Sequence, residues 1–275
     1  MNPDGWMGHT GICSVTFRQL PPAELVEATA AAGLHRIEWG SDVHAPPDDA
    51  GALDNVRGLT AAAGLTVTSY GSYWRAGDND PAPEPADRPP PSIEQLVSAA
   101  TRIGAPRIRV WAGSAGSAEC PAGQRDRIVR DLRHAAEVGA VSGIQIGLEL
   151  HRLTLTDTVE STLRLLDEVG HDNLATYWQP RVDEPATDAI DGLRRLVDRV
   201  CAVHVFSWWP FADRLPLADR AQLWQGVTAL LRERADPLDL LLEFVPDDDP
   251  AVLPREAAAL RSWLPPDASG DDAQP

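Results

Sequence analysis

The chain has 275 residues, 43% of them hydrophobic, with a formal net charge of −17 and a pI near 4.7. That length suits one large α/β domain or two small ones, and that acidity argues against nucleic acid, whose phosphates need a basic surface. The sequence contains no lysine, which excludes Schiff-base and pyridoxal-phosphate chemistry and a phosphate-cradling P-loop.

Strand-like and helix-like runs alternate along the chain. Gly11–Phe17 is a first strand, followed by a helix opened by Pro21-Pro22, with apolar Leu25, Val26, Ala28 and Ala32, and closed by Gly33. Leu34–Gly40 is the second strand, and a helix near Asp48–Ala63 ends at Gly64. Leu65–Ser72 is the third strand, and a proline-rich insertion, Tyr73–Pro91, follows without periodicity. Helix Ser92–Ile103 leads to strand four, Pro106–Gly113, and helix Ala122–Ser142 leads to strand five, Ile144–Arg152. Helix Asp157–Val169 precedes strand six, Leu174–Gln179, and helix Ala186–Asp198 precedes strand seven, Val200–Ser207. Helix Leu217–Ala235 leads to strand eight, Leu238–Val245, before a last helix, Pro250–Leu264. The acidic tail, Pro265–Pro275, is expected to be disordered.

Eight strand–helix units predict an α/β fold, a single-domain (β/α)8 TIM barrel over residues 1–264. An open doubly wound sheet is the competitor, but no strand is followed by Gly-x-Gly-x-x-Gly. No apolar run approaches the roughly 18 to 20 residues of a membrane span. Met1–Thr10 lacks a secretory pattern, and Cys13, Cys120 and Cys201 match neither a disulfide framework nor a zinc motif, so a cytoplasmic protein is expected.

In such a barrel the chemistry belongs at the C-terminal strand ends. Strand five reads Ile-Gln-Ile-Gly-Leu-Glu-Leu-His-Arg. Alternation turns Leu148 and Leu150 toward a helix, and Glu149 and His151 toward the opposite face. A carboxylate and an imidazole buried there need a partner, either another side chain or a ligand. Strand two ends in Glu38 and Trp39, strand six in Trp178-Gln179-Pro180-Arg181; strand seven carries His204, and strand eight Glu243. Glu149, Gln179, His204 and Glu243 thus come from four consecutive strands. Two carboxylates, an imidazole and an amide suit one divalent cation, Mn²⁺ first, with Mg²⁺, Co²⁺ or Zn²⁺ as alternatives.

Gly33-Leu34-His35-Arg36-Ile37-Glu38, Leu148-Glu149-Leu150-His151, Val203-His204-Val205 and Leu242-Glu243-Phe244, in this order and spacing, resemble the xylose-isomerase-like TIM-barrel superfamily of sugar isomerases and epimerases. The resemblance covers roughly residues 11–263. It implies Glu149, His204 and Glu243 as metal ligands, and Glu149 and Glu243 as the catalytic pair. Relatives usually carry aspartate where this chain has Gln179, and a histidine three residues on, at Val182. An amide oxygen ligates without charge, so weaker metal binding is expected. The implied chemistry is metal-assisted proton transfer next to a carbonyl, with Glu149 and Glu243 removing and returning protons on either face of the substrate. Hydride transfer assisted by a lysine is disfavoured, because the lysine is missing.

His151 is expected to orient Glu149 or to bind a substrate hydroxyl. Trp111, Trp208, Trp74 and Tyr70 are candidate walls for a sugar ring, Trp74 and Tyr70 beside the insertion as a candidate lid. Arg181, Glu38 and His44 complete the candidate substrate-binding set. Arg109 either pairs with Glu38 inside the barrel or reaches the substrate. The loops after strands seven and eight, Trp208-Trp209-Pro210-Phe211 and Pro246-Asp247-Asp248-Asp249, lack the glycines of a phosphate site. The expected substrate is therefore an unphosphorylated sugar, inositol derivative or glycoside, handled by an isomerase or epimerase. A dehydratase or lyase with the same first step, cleavage of oxidised glycosides included, and a metal-free sugar-binding barrel are the alternatives. Neither nucleic acid nor membrane is an expected partner. Dimers and tetramers are common in similar proteins, so a homo-oligomer stays open.

Overall fold

The alternation of strands and helices closes on itself. The structure, a computed structural model, describes residues 5–77 and 90–265. Most of the insertion (78–89) and all but the first residue of the tail (266–275) lie outside the described residues, whereas Ser69–Arg75, expected to open the insertion as a lid, belongs to the third strand. In chain order the elements are β1 (Thr10–Cys13), α1 (Pro22–Ala31), β2 (Arg36–Gly40), α2 (Ala50–Ala62), β3 (Thr66–Arg75), α3 (Ile93–Ile103), β4 (Arg107–Trp111) and α4 (Ala122–Val141). They continue with β5 (Gln145–Leu148), α5 (Val159–Val169), β6 (Leu174–Trp178), α6 (Ala186–Leu196), β7 (Val200–Val205), β8 (Ser207–Trp208) and β9 (Arg214–Leu215). The last are α7 (Ala221–Leu231), β10 (Asp239–Leu242) and α8 (Leu253–Ser262). Eight parallel strands form a closed barrel in the order β1-β10-β7-β6-β5-β4-β3-β2, and β8 and β9 pair as a small antiparallel ribbon. The sequence did not announce that ribbon, because two-residue strands carry no periodicity.

Local signals set the boundaries. Ser92 and Gln95 form a capping box at the start of α3, each side chain bonded to the other's backbone N–H, worth about 1 kcal/mol. The first strand stops at Cys13 rather than Phe17, because Ser14–Phe17 turns into a 3-10 helix. There the Ser14 hydroxyl accepts the Gly40 N–H at 2.8 Å. Strand five is also shorter than expected and ends at Leu148, although Glu149 still donates its N–H to Val110.

Alternate strand residues face the helices and make the main core, among them Ile12, Ile37, Ile108, Val110, Ile146 and Leu148, each fully buried. The other set fills the barrel, and it is unusually polar for a space normally packed with branched apolar side chains. At the N-terminal end, the buried Asp239 carboxylate accepts from Arg107 at 2.6 Å, lies 2.7 Å from His9 Nδ1 and 3.1 Å from Arg36, and also accepts from Thr68. Burial alone would raise Asp239, but His9 and the two guanidiniums outweigh it and hold the carboxyl well below the usual carboxylate range. A layer higher, Tyr177 fits only because Gly147 has no side chain; a Cβ there would lie 2.4 Å from the ring.

Candidate active site

Each functional side chain at the upper end of the barrel comes from a strand terminus or the residue just beyond it. Glu38 lies on β2, Arg109 and Trp111 on β4, and His204 on β7. Glu149, Gln179 and Glu243 directly follow β5, β6 and β10. The four expected ligand residues are all buried and meet in a chain of contacts. The Gln179 amide donates to Glu149 Oε1 at 3.3 Å, and Gln179 Oε1 lies 3.1 Å from His204 Nδ1. That nitrogen is 3.5 Å from Glu243 Oε2. Adjacent ligands of a small octahedral cation are separated by about 3 Å, and His204 Nδ1 stands near that spacing from both Gln179 and Glu243.

Arg109 runs through the middle of this group. Its guanidinium donates to Glu149 Oε2 and lies 3.2 Å from Glu38 Oε1. Ser69 donates to the other Glu38 oxygen at 2.6 Å. Gly71 gives the pair room: a Cβ there would sit 2.7 Å from Glu38 Oε1 and 3.0 Å from Arg109 Nη2. His204 faces two ways, with Nδ1 toward Gln179 and Glu243 and Nε2 3.7 Å from Glu38 Oε2. Among the described residues, one group of three His, Cys, Asp or Glu side chains has its ligand atoms within 4.8 Å of one another: Cys13, Glu38 and His204. Arg109 already supplies a counter-charge beside that lower group.

Burial and charge push these groups in different directions. Burial would raise Glu38, but Arg109, His204 and Ser69 hold it at about 2. Glu149 is likewise lowered, with Arg109 foremost against the cost of burial. Glu243 has no such partner: burial, with Glu149 and Glu38 adding to it, lifts it to about 7 against the weaker pull of His204 and Arg109. Burial opposes charge on His204, yet Glu243 and Glu38 raise it. Glu38, Glu149 and Glu243 face the Arg109 guanidinium and the His204 ring, and the oxygen and nitrogen donors of Glu149, Gln179, His204 and Glu243 are of the kind a divalent cation takes.

The candidate substrate-binding residues divide. Trp111 and His151 stack at the mouth, their ring centroids 4.5 Å apart, and Trp111 donates its indole N–H to Glu149. Trp208 lies at the rim between Phe206 and Phe244, with Arg214 above it. Glu38 is not exposed toward a ligand but lies buried, tied to Arg109 and Ser69. Tyr70 is a correction: it is fully buried outside the barrel, its hydroxyl donating to the Ala45 carbonyl at 2.6 Å. The β2–β3 register slips between Ile37 and Glu38, which pair with Val67 and Ser69. That bulge reverses the alternation, so Ser69 faces in and Tyr70 out. His44 also leaves the site, buried with Nε2 3.0 Å from the Leu20 carbonyl and its ring edge-on to Trp39. Trp74 packs half-buried against the main core, and Arg181 is paired with Glu184 at 2.9 Å on the loop after β6. Ser69 and Gly71 carry no site role in the sequence reading; strand register, which sets Ser69 beside Glu38, is the signal that finds the first. A separate concavity, lined by Gln145, His171, Asp198, Cys201 and Arg234, opens at the opposite end of the barrel, the end tied to stability rather than chemistry.

Comparisons with known proteins bear on the fold. A 3-dehydroshikimate dehydratase of Bacillus anthracis is 36% identical over 104 residues, which is 38% of this chain and 37% of that protein, so the match spans little more than a third of it. The structure of the probable 3-DHS dehydratase AsbF, involved in petrobactin synthesis in B. anthracis, superposes with a TM-score of 0.74 at 21% identity, covering 92% of this chain and 98% of that one. The 3-keto-D-glucoside 4-epimerase YcjR of E. coli gives a TM-score of 0.71 at 17% identity, covering 92% and 99% of the two chains. A D-psicose 3-epimerase of Clostridium cellulolyticum gives 0.67 at 17%, covering 93% and 98%. At such identities these structures establish a shared fold. A family model described as a xylose isomerase-like TIM barrel matches residues 26–205, well over half of the sequence. With the closed eight-stranded barrel, that match places the chain in the xylose isomerase-like TIM-barrel family.

Proposed function

We propose that this barrel is a metal-dependent isomerase or epimerase that moves a proton next to a carbonyl on a small, unphosphorylated, polyhydroxylated substrate. The observation that carries the reading is the meeting of Glu149, Gln179, His204 and Glu243 at the C-terminal ends of four neighbouring strands. A bound divalent cation, Mn²⁺ by first preference, would supply Lewis acidity toward the substrate carbonyl and the adjacent hydroxyl. Glu149, kept ionised by Arg109, is suited to accept the proton from carbon. Glu243, on the other side of His204 Nδ1 from Gln179, is suited to return one. Arg109 keeps its charge throughout and fixes Glu149 between the barrel wall and the mouth.

The rim supports a substrate without phosphate. Arg214, above Trp208 and Phe244, is paired with Asp248, and Arg181 with Glu184. A second reading, dehydration after the same proton abstraction, is favoured by the local 36% identity to the dehydratase. Elemental analysis comes first: about one Mn, Co, Zn, Ni or Mg per chain, lost in His204→Ala, is expected. Turnover of free ketoses, inososes, oxidised glycosides and dehydroshikimate in D₂O then separates the readings. An epimer carrying deuterium supports the first, and an unsaturated product supports the second. Unchanged turnover in both Glu149→Gln and Glu243→Gln would sink both.

A further inference from the structure

We infer that Trp111 is a positioning residue for Glu149 and not a platform for a sugar ring. A tryptophan at a barrel mouth earns the sugar-binding reading only if one face is open. Here neither is. The Arg75 guanidinium carbon lies 3.7 Å from the indole centroid. The His151 ring lies 4.5 Å away, inclined by 18°. Two groups so close to one ring cannot share a face, so they cover both. Backbone contacts fix each cover: Arg75 donates to the Gly113 carbonyl at 3.1 Å, and His151 Nδ1 lies 2.6 Å from the Arg152 carbonyl. The edge of Tyr73 approaches from the side at 6.0 Å.

What remains of Trp111 is its polar edge, and that edge is used. The indole N–H donates to Glu149 Oε2 at 2.5 Å. A neutral ring clamped on both faces cannot swing away, so this donor holds a fixed direction. Glu149 Oε2 also accepts from Arg109, but that guanidinium is shared with Glu38. Of the two donors on Oε2, Trp111 is thus the one that does not also serve Glu38. With Oε2 tied down, Oε1 is the oxygen turned toward Gln179 and the rest of the donor set. Trp111 therefore selects which oxygen Glu149 offers, as an outer hydrogen-bond partner does for a metal ligand. The bond itself stands independently of the proposed function; its consequence for metal affinity rests on that function.

The test separates the two. In ¹⁵N–¹H spectra of chelator-treated protein, Trp111→Phe identifies the Trp111 indole signal by deletion. That signal is expected well downfield, moving upfield in Glu149→Gln. Failure to move overturns the inference. Mn²⁺ titration then compares wild type with Trp111→Phe, which keeps an aromatic ring between Arg75 and His151 but removes the N–H. Affinity is expected to fall about 10- to 100-fold. Trp224→Phe, which loses an indole bond to Ser207 in the outer core, serves as the control and should bind Mn²⁺ as wild type does. Wild-type Mn²⁺ affinity in Trp111→Phe refutes the positioning role. A wild type that binds no metal refutes the metal part of the proposed function, while the indole signal still decides the Trp111–Glu149 bond.

Discussion

Replacing Glu243 by glutamine should stabilise the metal-free protein, and by an amount that depends on pH. In the fold Glu243 titrates at about 7 against an ordinary 4.5. Below the ordinary value both folded and unfolded chains carry the proton, and the residue contributes nothing to the pH dependence. Between the two values the unfolded chain releases its proton while the folded one keeps it, so folding stability falls as pH rises. Above 7 the full penalty is present, and 1.36 kcal/mol for each unit of displacement makes it about 3 kcal/mol. Glutamine has no proton to lose and escapes the penalty. Urea unfolding with chelator present, from pH 4.5 to 8, should show Glu243→Gln gaining on wild type by about 3 kcal/mol across the range. Asp239, at the other end of the barrel, is common to both proteins and cancels in the difference, whereas His204, raised by Glu243, loses that support in Glu243→Gln. A difference that stays constant with pH refutes the account of a carboxylate whose burial outweighs the pull of His204 and Arg109.

Arg109→Met should cost about 3–5 kcal/mol in urea unfolding, because it leaves Glu38 and Glu149 buried without their counter-charge; adding Glu38→Gln should restore part of that loss. Gly71→Ala should destabilise by about 2 kcal/mol through the same pair, since the new methyl has no space between Glu38 and Arg109. Gln179→Asp should bind Mn²⁺ at least about tenfold more tightly in calorimetry, and with chelator it should melt lower, having exchanged an amide that donates to Glu149 for a charge that repels it. Asp239 is held low in the fold, so its stabilisation is present above the ordinary carboxylate range and lost as pH falls. Asp239→Asn should therefore unfold at lower urea than wild type at neutral pH, and the gap should close in acid.

Much of the barrel was legible because each strand and helix carries its own period, and the four donors at the strand ends followed from placing those strands in order. The Leu-Glu-Leu-His run was clear since its two leucines could only face helices. What failed depended on pairing between strands. Tyr70 was assigned to the pocket, yet a bulge that exists only where β3 meets β2 turns it outward. His44 was assigned by loop position, and its bond to the Leu20 carbonyl comes from a segment 24 residues away. The cover on Trp111 was invisible for the same reason: it joins the end of β3 to the loop after β5, and no local pattern records that meeting.

Among the described residues, the guanidiniums paired with carboxylates inside the barrel are those of Arg36, Arg107 and Arg109. A buried ammonium would shed its proton readily, and in doing so would become a nucleophile; a guanidinium does neither within any physiological range. The sequence has no lysine anywhere. An aldehyde or ketone that enters this barrel therefore meets permanent positive charge and hydrogen-bond donors but no side-chain amine with which to condense. The same absence spares the outer surface the slow glycation that reducing sugars inflict on lysine-rich proteins.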